Sequence, residues 1–342
     1  NSSYYRMDDN GHFHDTTGCG NSLNFGNPHV VHMVLESLRY WTTEMQIDGY
    51  RFDLAATLAR NEINHFDPNH PLLRAIVEDP IFKDSKMIME PWDVGLGGWQ
   101  TGNFPDRFSE WNDRYRDSVR QFWLGDLARG YGEGVADIAA GISGSSDVFF
   151  YRGPTSSINF VAAHDGFTIH DMVTYNHKHN EVNLEDNKDG SDSNRSWNVG
   201  HEGETHDARI NEIRHRLKKS LLATLMLSSG VPMVNMGDEV SRTQCGSNNG
   251  YSLPIDHTLN GTESFGGGWA LPWQLNEIQA DTLAAMQALS QIRETYLADV
   301  ASEFFTGALD KGTNRKDIAW FSLGGNEMSD DHWRDEEKRS IT

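Results

Sequence analysis

Cysteine is nearly absent from this chain, which has only Cys19 and Cys245, far apart in sequence. Two separated cysteines exclude a disulfide framework and do not by themselves form a metal ligand set. No apolar run reaches the length of a transmembrane helix, and the first residues lack the charged and apolar regions of a signal peptide. We therefore predict a protein of the reducing cytoplasm. Because the chain begins at Asn1 rather than at Met, we expect its natural N-terminus to lie upstream.

Positive charge is also scarce, since 29 Lys and Arg residues stand against 50 Asp and Glu residues, giving a formal net charge of -21. Such a surface repels phosphate backbones and anionic lipid headgroups, so nucleic acid and membrane are excluded as partners. The hydrophobic content of 37% and aromatic content of 11% are typical of a globular protein. A neutral ligand fits this composition better than a charged one.

Short apolar runs alternate with longer amphipathic patterns along the chain. This alternation predicts parallel β/α units, with strands at residues 50–54, 87–89, 158–163 and 231–236. The clearest helices are predicted at residues 30–45, 214–228 and 280–298. Polar segments at residues 180–206 and 243–268 are interpreted as long loops, either mobile or facing a ligand.

The end of the first predicted strand carries a charge pair, Arg51 and Asp53. Strand alternation places both side chains on one face. A neighbouring Arg favours the ionised carboxylate, which is the form that a nucleophile at an anomeric carbon needs. Asp53 is therefore our candidate nucleophile, with an ordinary ion pair as the alternative.

The next strand ends in Glu90, which follows an apolar run and precedes Pro91 and Trp92. Apolar surroundings raise the pKa of a carboxyl group, as general-acid cleavage of a glycosidic bond requires. The alternative is a solvated glutamate at a strand end.

A third strand delivers His164 and Asp165 directly before Gly166, which permits a sharp exit from the strand. A carboxylate at this position can stabilise positive charge on a sugar ring, and the histidine can donate to a hydroxyl group. A His-Asp pair that merely closes a turn is the alternative.

These carboxylates share one position, because each lies where a parallel strand leads into its loop. Barrel enzymes build their active sites on that face. Retaining glycosidases need one ionised and one protonated carboxyl group on either side of the scissile bond, and adjacent strands can supply them.

Residues 48–55, 89–95 and 160–167 closely resemble three signature regions of the α-amylase superfamily. Further segments are similar to the glycogen-debranching and isoamylase-like branch of this superfamily, namely residues 17–24, 110–116, 195–198 and 237–239. The resemblance implies retaining hydrolysis of α-1,6 branch linkages in glycogen, limit dextrin or related α-glucans. We predict no cofactor and assign no metal-ligating residue to the site. The resemblance also implies site residues: the catalytic Asp53, Glu90 and Asp165, and the substrate-binding Arg51, His164, Trp92, Asp93, Trp99 and Trp111. For each tryptophan, core packing is the alternative.

The resemblance further implies part of a (β/α)8 TIM barrel, about strands 4–8, in residues 1–298, followed by the beginning of a C-terminal β-sandwich domain in residues 299–342. The superfamily's first three barrel strands, a further signature region and an N-terminal β domain would precede this stretch. Five β/α units leave open strand edges. On this basis we expect the chain alone to be inactive or weakly active. Residues 250–273 depart from the commoner form of the family.

Other functions fit parts of the pattern. A metal-dependent barrel hydrolase is suggested by five potential ligands within sixteen residues, namely His164, Asp165, His170, His177 and His179. A non-catalytic glucan-binding fragment is the second alternative. Within the α-amylase superfamily, an α-1,4 hydrolase or a transglycosylase is a third.

Overall fold

The computed structural model describes residues 3–252, 271–297 and 302–342. Strands in these ranges are β1 Gly49–Phe52, β2 Lys86–Met89, β3 Ser109–Trp111, β4 Ser157–Phe160, β5 Val231–Met233, β6 Leu309–Asp310 and β7 Arg315–Lys316. The α-helices are α1 Pro28–Thr43, α2 Pro71–Glu78, α3 Asp113–Arg120, α4 Asp126–Arg129, α5 Ala136–Ile142, α6 Ser146–Phe149, α7 Ile169–Met172, α8 Ala208–Leu227, α9 Glu277–Tyr296 and α10 Asp330–Arg334.

The first five strands form one sheet in the order β1-β2-β3-β4-β5. β1 pairs with β2, β2 with β3 and β3 with β4, all in parallel. This α/β arrangement agrees with the alternation in the sequence. Because parallel strands have their carboxyl ends at one edge of a sheet, the loops after β1 and β2 lie side by side.

The chain divides into two compact units. The first unit comprises Asn1–Asn112 and Val148–Ile158, and the second unit comprises Asp113–Asp147 and Asn159–Thr342. The core of the first unit packs α1 and α2 against β1 and β2, with the buried side chains Leu35, Leu38, Phe52, Leu72, Ile76, Met87 and Met89. Helix α1 begins at Pro28. The Asn27 side chain accepts a hydrogen bond from the His29 amide, and the ring of Pro28 fixes φ near its helical value.

The core of the second unit is organised by α8, whose apolar face is buried against the segment that follows β4. The buried side chains of this core include Val161, Phe167, Met172, Leu217, Leu221 and Leu225. The guanidinium of Arg293 on α9 donates to the carbonyls of Met226 and Ser228, each at 2.8 Å. These carbonyls lie at the end of α8 and just beyond it, so Arg293 satisfies acceptors in the turn that leads into β5.

Several predicted bounds differ from the structure. The third and fourth predicted strands end early, at Phe160 and Met233, because the chain turns into the loops that carry polar residues. Strand β3 was not predicted, since Ser-Glu-Trp has no alternation. The predicted helix at 280–298 is confirmed as α9, with residue 298 outside the described ranges, as are residues 253–268 of the second predicted loop.

The C-terminal residues contain little regular secondary structure in the part that the structure describes. In the described part, 302–342, regular structure consists of the antiparallel β6-β7 pair and α10. The β-sandwich and the closure of the sheet into a barrel therefore remain predictions. Among the residues that the structure describes, no helix has both the length and the apolar character needed to span a membrane.

Candidate active site

The candidate nucleophile lies in a tight turn at the end of β1. Leu54, directly after Asp53, has φ 41° and ψ 51°, a left-handed conformation that is rare for a residue other than glycine. The turn leaves the Asp53 side chain 73% exposed, and the Arg51 guanidinium forms an ion pair with it. This geometry presents a carboxylate to a ligand while a fixed cation lies beside it.

Glu90 lies beside this turn because β1 and β2 are paired in register up to Phe52 and Met89. Its backbone continues the ladder, donating to the Phe52 carbonyl at 3.0 Å. The Glu90 side chain accepts from the Leu54 amide at 2.6 Å, and its other oxygen lies 3.1 Å from Arg51 Nη2. Glu90 is only 5% exposed, so both carboxyl oxygens contact their partners in a buried setting.

The surroundings of Glu90 favour its protonated form. Burial raises the pKa of this carboxyl group, the Leu54 amide and the Arg51 charge lower it, and the nearby Asp53 raises it again, so that the net shift is upward. Asp53 is open to solvent, whereas Glu90 is desolvated. The two neighbouring carboxyl groups therefore lie in opposed environments, one exposed and one buried.

An aromatic pair follows Glu90 in the loop after β2. The rings of Trp92 and Trp99 are stacked, with centroids 5.2 Å apart and planes 15° from parallel. Trp92 is partly buried, while Trp99 is 59% exposed. The exposed indole forms a flat apolar surface supported from behind by a second ring, which suits the apolar face of a sugar.

Asp93 is placed differently from the substrate-binding position predicted from the sequence. Its side chain is 0% exposed and accepts two hydrogen bonds of 2.7 Å from Arg60, which is itself 1% exposed. Thr57 donates to the same carboxylate at 3.0 Å, and the Gly95 amide at 2.9 Å. Asp93 therefore anchors the loop that carries the two tryptophans and presents no oxygen to a ligand.

Two glycines allow this loop to close over the ion pair. A Cβ atom on Gly98 would lie 2.2 Å from Asp93 Oδ1, and one on Gly95 would lie 2.8 Å from Arg60 Nη2. Neither position has room for a side chain. Arg60 was missed in the sequence, where nothing distinguishes it from a surface arginine.

Trp111, at the end of β3, is 8% exposed, and the Arg51 guanidinium lies 4.3 Å from its ring centroid. Such a cation–π contact fixes the guanidinium that faces Asp53 and Glu90. The structure thus brings together Arg51, Asp53, Glu90 and Trp111, but it gives Trp111 a supporting place rather than an open stacking face.

The third predicted carboxylate belongs to the second unit. Asp165 is exposed, and His164 Nε2 lies 3.5 Å from its Oδ2. The backbone here is tied to a distant loop, because the Gly166 amide donates to the Asn248 carbonyl at 2.8 Å and Asp165 forms an antiparallel bridge with Asn249. The position of Asp165 is therefore set by backbone contacts.

Two of the histidines that suggested a metal site lie beside carboxylates. His170 lies 2.7 Å from Glu204, and His179 lies 3.2 Å from Glu202. Within the ranges that the structure describes, no three His, Cys, Asp or Glu side chains are arranged to hold a metal ion.

Comparison with solved structures identifies the class of fold. A pullulanase from Paenibacillus barengoltzii aligns over 85% of this chain and 40% of its own, with a TM-score of 0.59 and 24% identity. A pullulanase from Bacillus acidopullulyticus aligns over 85% and 32%, with a TM-score of 0.57 and 23% identity. The chain therefore has the α/β fold found in these pullulanases.

Sequence comparison is more specific. The glycogen operon protein GlgX homolog of Mycobacterium tuberculosis is 44% identical over 338 residues, covering 97% of this chain and 44% of that protein. The glycogen debranching enzyme of Yersinia enterocolitica is 47% identical over 254 residues, covering 73% and 37%. No protein-family profile matches the sequence. The chain is a homologue of the glycogen debranching enzymes, as its signature segments predicted, and it spans less than half the length of these relatives.

Proposed function

We propose that this chain carries the catalytic carboxyl groups of a retaining glycoside hydrolase that cleaves α-1,6 branch linkages in glycogen, limit dextrin or related α-glucans. The observation that carries the proposal is the pair at the ends of β1 and β2, where exposed Asp53 and buried Glu90 lie beside one arginine. The raised pKa of Glu90 supports its role as the proton donor. The homologues named as glycogen debranching enzymes support the choice of linkage.

In the proposed first step, an Asp53 carboxylate oxygen attacks the anomeric carbon while Glu90 gives its proton to the glycosidic oxygen. The bond to the leaving glucan breaks and a glycosyl ester on Asp53 forms. In the second step, ionised Glu90 takes a proton from water, the hydroxide oxygen attacks the same carbon, and the ester bond to Asp53 breaks. Configuration is retained, and Glu90 ends with its proton restored.

The remaining roles follow from the surroundings of each residue. Arg51 places its positive charge beside the Asp53 carboxylate, while the Trp92–Trp99 pair receives a glucosyl face. Asp165 and His164 are proposed to bind the reacting sugar, as the family resemblance implies. No cofactor is needed for this chemistry. We propose a cytoplasmic enzyme whose partner is the glucan itself.

The proposal is tested by measuring reducing ends released from glycogen, limit dextrin and unbranched maltodextrin by the natural full-length polypeptide. We expect hydrolysis of the branched substrates and loss of activity in Asp53→Asn. Glu78→Gln is the matched control, because it neutralises an exposed carboxylate on α2. Glucan binding without any hydrolysis would instead support the non-catalytic alternative, and preference for maltodextrin would support an α-1,4 activity.

A further inference from the structure

Asn180 is the centre of a buried hydrogen-bond network in the second unit. The residue is fully buried, and its Oδ1 accepts from Ser247 Oγ at 2.9 Å and from the Asn248 amide at 3.0 Å. Its Nδ2 donates to Asn248 Oδ1 at 2.7 Å and to the Asp189 carbonyl at 3.0 Å. These four bonds use the whole capacity of a carboxamide. No other side chain of this shape could replace it without leaving a polar atom unpaired.

Asn248 extends the network in two directions. Its Nδ2 donates to the Ser191 carbonyl at 2.7 Å and to Asn194 Oδ1 at 3.1 Å, which ties it to the polar loop that precedes α8. Its own carbonyl accepts from the Gly166 amide at 2.8 Å. The Asn180–Asn248 pair therefore links this loop directly to the backbone beside Asp165.

The Asp165 side chain needs such a support. It is exposed, so side-chain packing does not restrain it, and the chain leaves regular structure at Phe160. The backbone at Asp165 is restrained by the bridge to Asn249 and the bond from Gly166 to Asn248, both on the short stretch that Asn180 holds.

We propose that Asn180 and Asn248 are positioning residues, which hold Asp165 in place for the hydrolysis of α-glucans. The inference rests on the proposed function and deepens it, since it assigns a role to residues that do not contact the substrate. A misplacement of about 1 Å in a catalytic group costs on the order of a hundredfold in rate. We call the hydrogen bonds of Asn180 and Asn248 the clamp. Its loss should therefore reduce turnover even while the protein remains folded.

Asn180→Asp tests the clamp because it keeps the volume and the acceptor but removes both donors. We expect kcat per folded molecule to fall by roughly ten- to a hundredfold, with KM changed far less. Tyr115→Phe is the control: it removes a buried hydroxyl that bonds Ser228 and Thr224 in the same unit, and neither partner is a member of the Asn180–Asn248 network. This control should keep its kcat at a comparable loss of stability.

Hydrogen exchange at the Gly166 amide gives a second readout that needs no activity. Exchange should accelerate in Asn180→Asp and stay unchanged in Tyr115→Phe, with Asn248→Asp measured in its place if the first variant does not fold. Wild-type kcat together with unchanged Gly166 exchange would overturn the inference. All variants are made in the natural full-length polypeptide. If its wild-type form is inactive on branched glucans, the proposed function is overturned instead, and the exchange rates would still decide whether the Asn180–Asn248 network restrains Gly166.

Discussion

Replacing Asp93 by Asn removes the charge that pairs with buried Arg60, and we expect a loss of about 3 to 5 kcal/mol in the free energy of unfolding. The burial of this pair favours a loss near the upper end of that range. Both side chains are almost fully buried, and two hydrogen bonds of 2.7 Å join them. Asparagine has the same size but leaves the guanidinium as an uncompensated charge away from water.

Urea unfolding followed by tryptophan fluorescence measures the effect, because Trp92 directly precedes Asp93. The control is Glu78→Gln, which breaks an exposed ion pair with Arg74 on α2 and should change stability by less than about 1 kcal/mol. Replacing both buried partners, as in Arg60→Met with Asp93→Leu, should recover much of the loss, since no unpaired charge then remains.

One result would refute the reasoning. If Asp93→Asn unfolds like the wild type but binds glucan weakly, then Asp93 contacts substrate, as its position in the signature segment first suggested. A large loss of stability with glucan affinity preserved in the folded fraction supports the structural role.

Three further predictions concern single side chains. Glu90→Gln should lower the rate and abolish the alkaline limb of the pH–rate profile, since the raised pKa keeps wild-type Glu90 protonated to higher pH; an unchanged limb with full rate would contradict its role. Trp99→Ala should raise KM roughly three- to tenfold, as expected for a lost stacking contact, and leave the unfolding midpoint unchanged. Burial raises the pKa of Asp238 to about 7, so the folded state keeps a proton that the unfolded chain releases near pH 4. The free energy of unfolding of the wild type should therefore fall as pH rises between these values. Urea titrations of Asp238→Asn should not show that fall. Parallel pH dependences for the two proteins would contradict the raised pKa of Asp238.

The positions of Asp53 and Glu90 could be predicted because they depend on local pattern. An apolar run that ends in a carboxylate marks a strand end, and parallel pairing of neighbouring strands then brings two such ends together. The observed register pairs Phe52 with Met89, so the next residue on each strand is one of the two carboxylates. The burial of Glu90 could also be predicted from the sequence, since Pro91 and Trp92 come directly after it.

The partners of Asp93 and the network around Asn180 could not be predicted in this way. Arg60 and Asp93 are separated by 33 residues, and Asn180 and Asn248 by 68, so no local periodicity connects them. The Asn-rich loops were interpreted as either mobile or facing a ligand. In the described part of these loops, buried amides such as Asn180 replace the hydrogen bonds that helices and strands would otherwise provide.

The crowded glycines beside the Arg60–Asp93 pair also limit how this protein can evolve. Gly95 and Gly98 have no space for a Cβ atom, so neither position can change without breaking the loop's anchor. Between and beside them, Val94, Leu96 and Trp99 are all largely exposed. Substitutions can therefore accumulate at these open positions, while the frame that holds them stays the same.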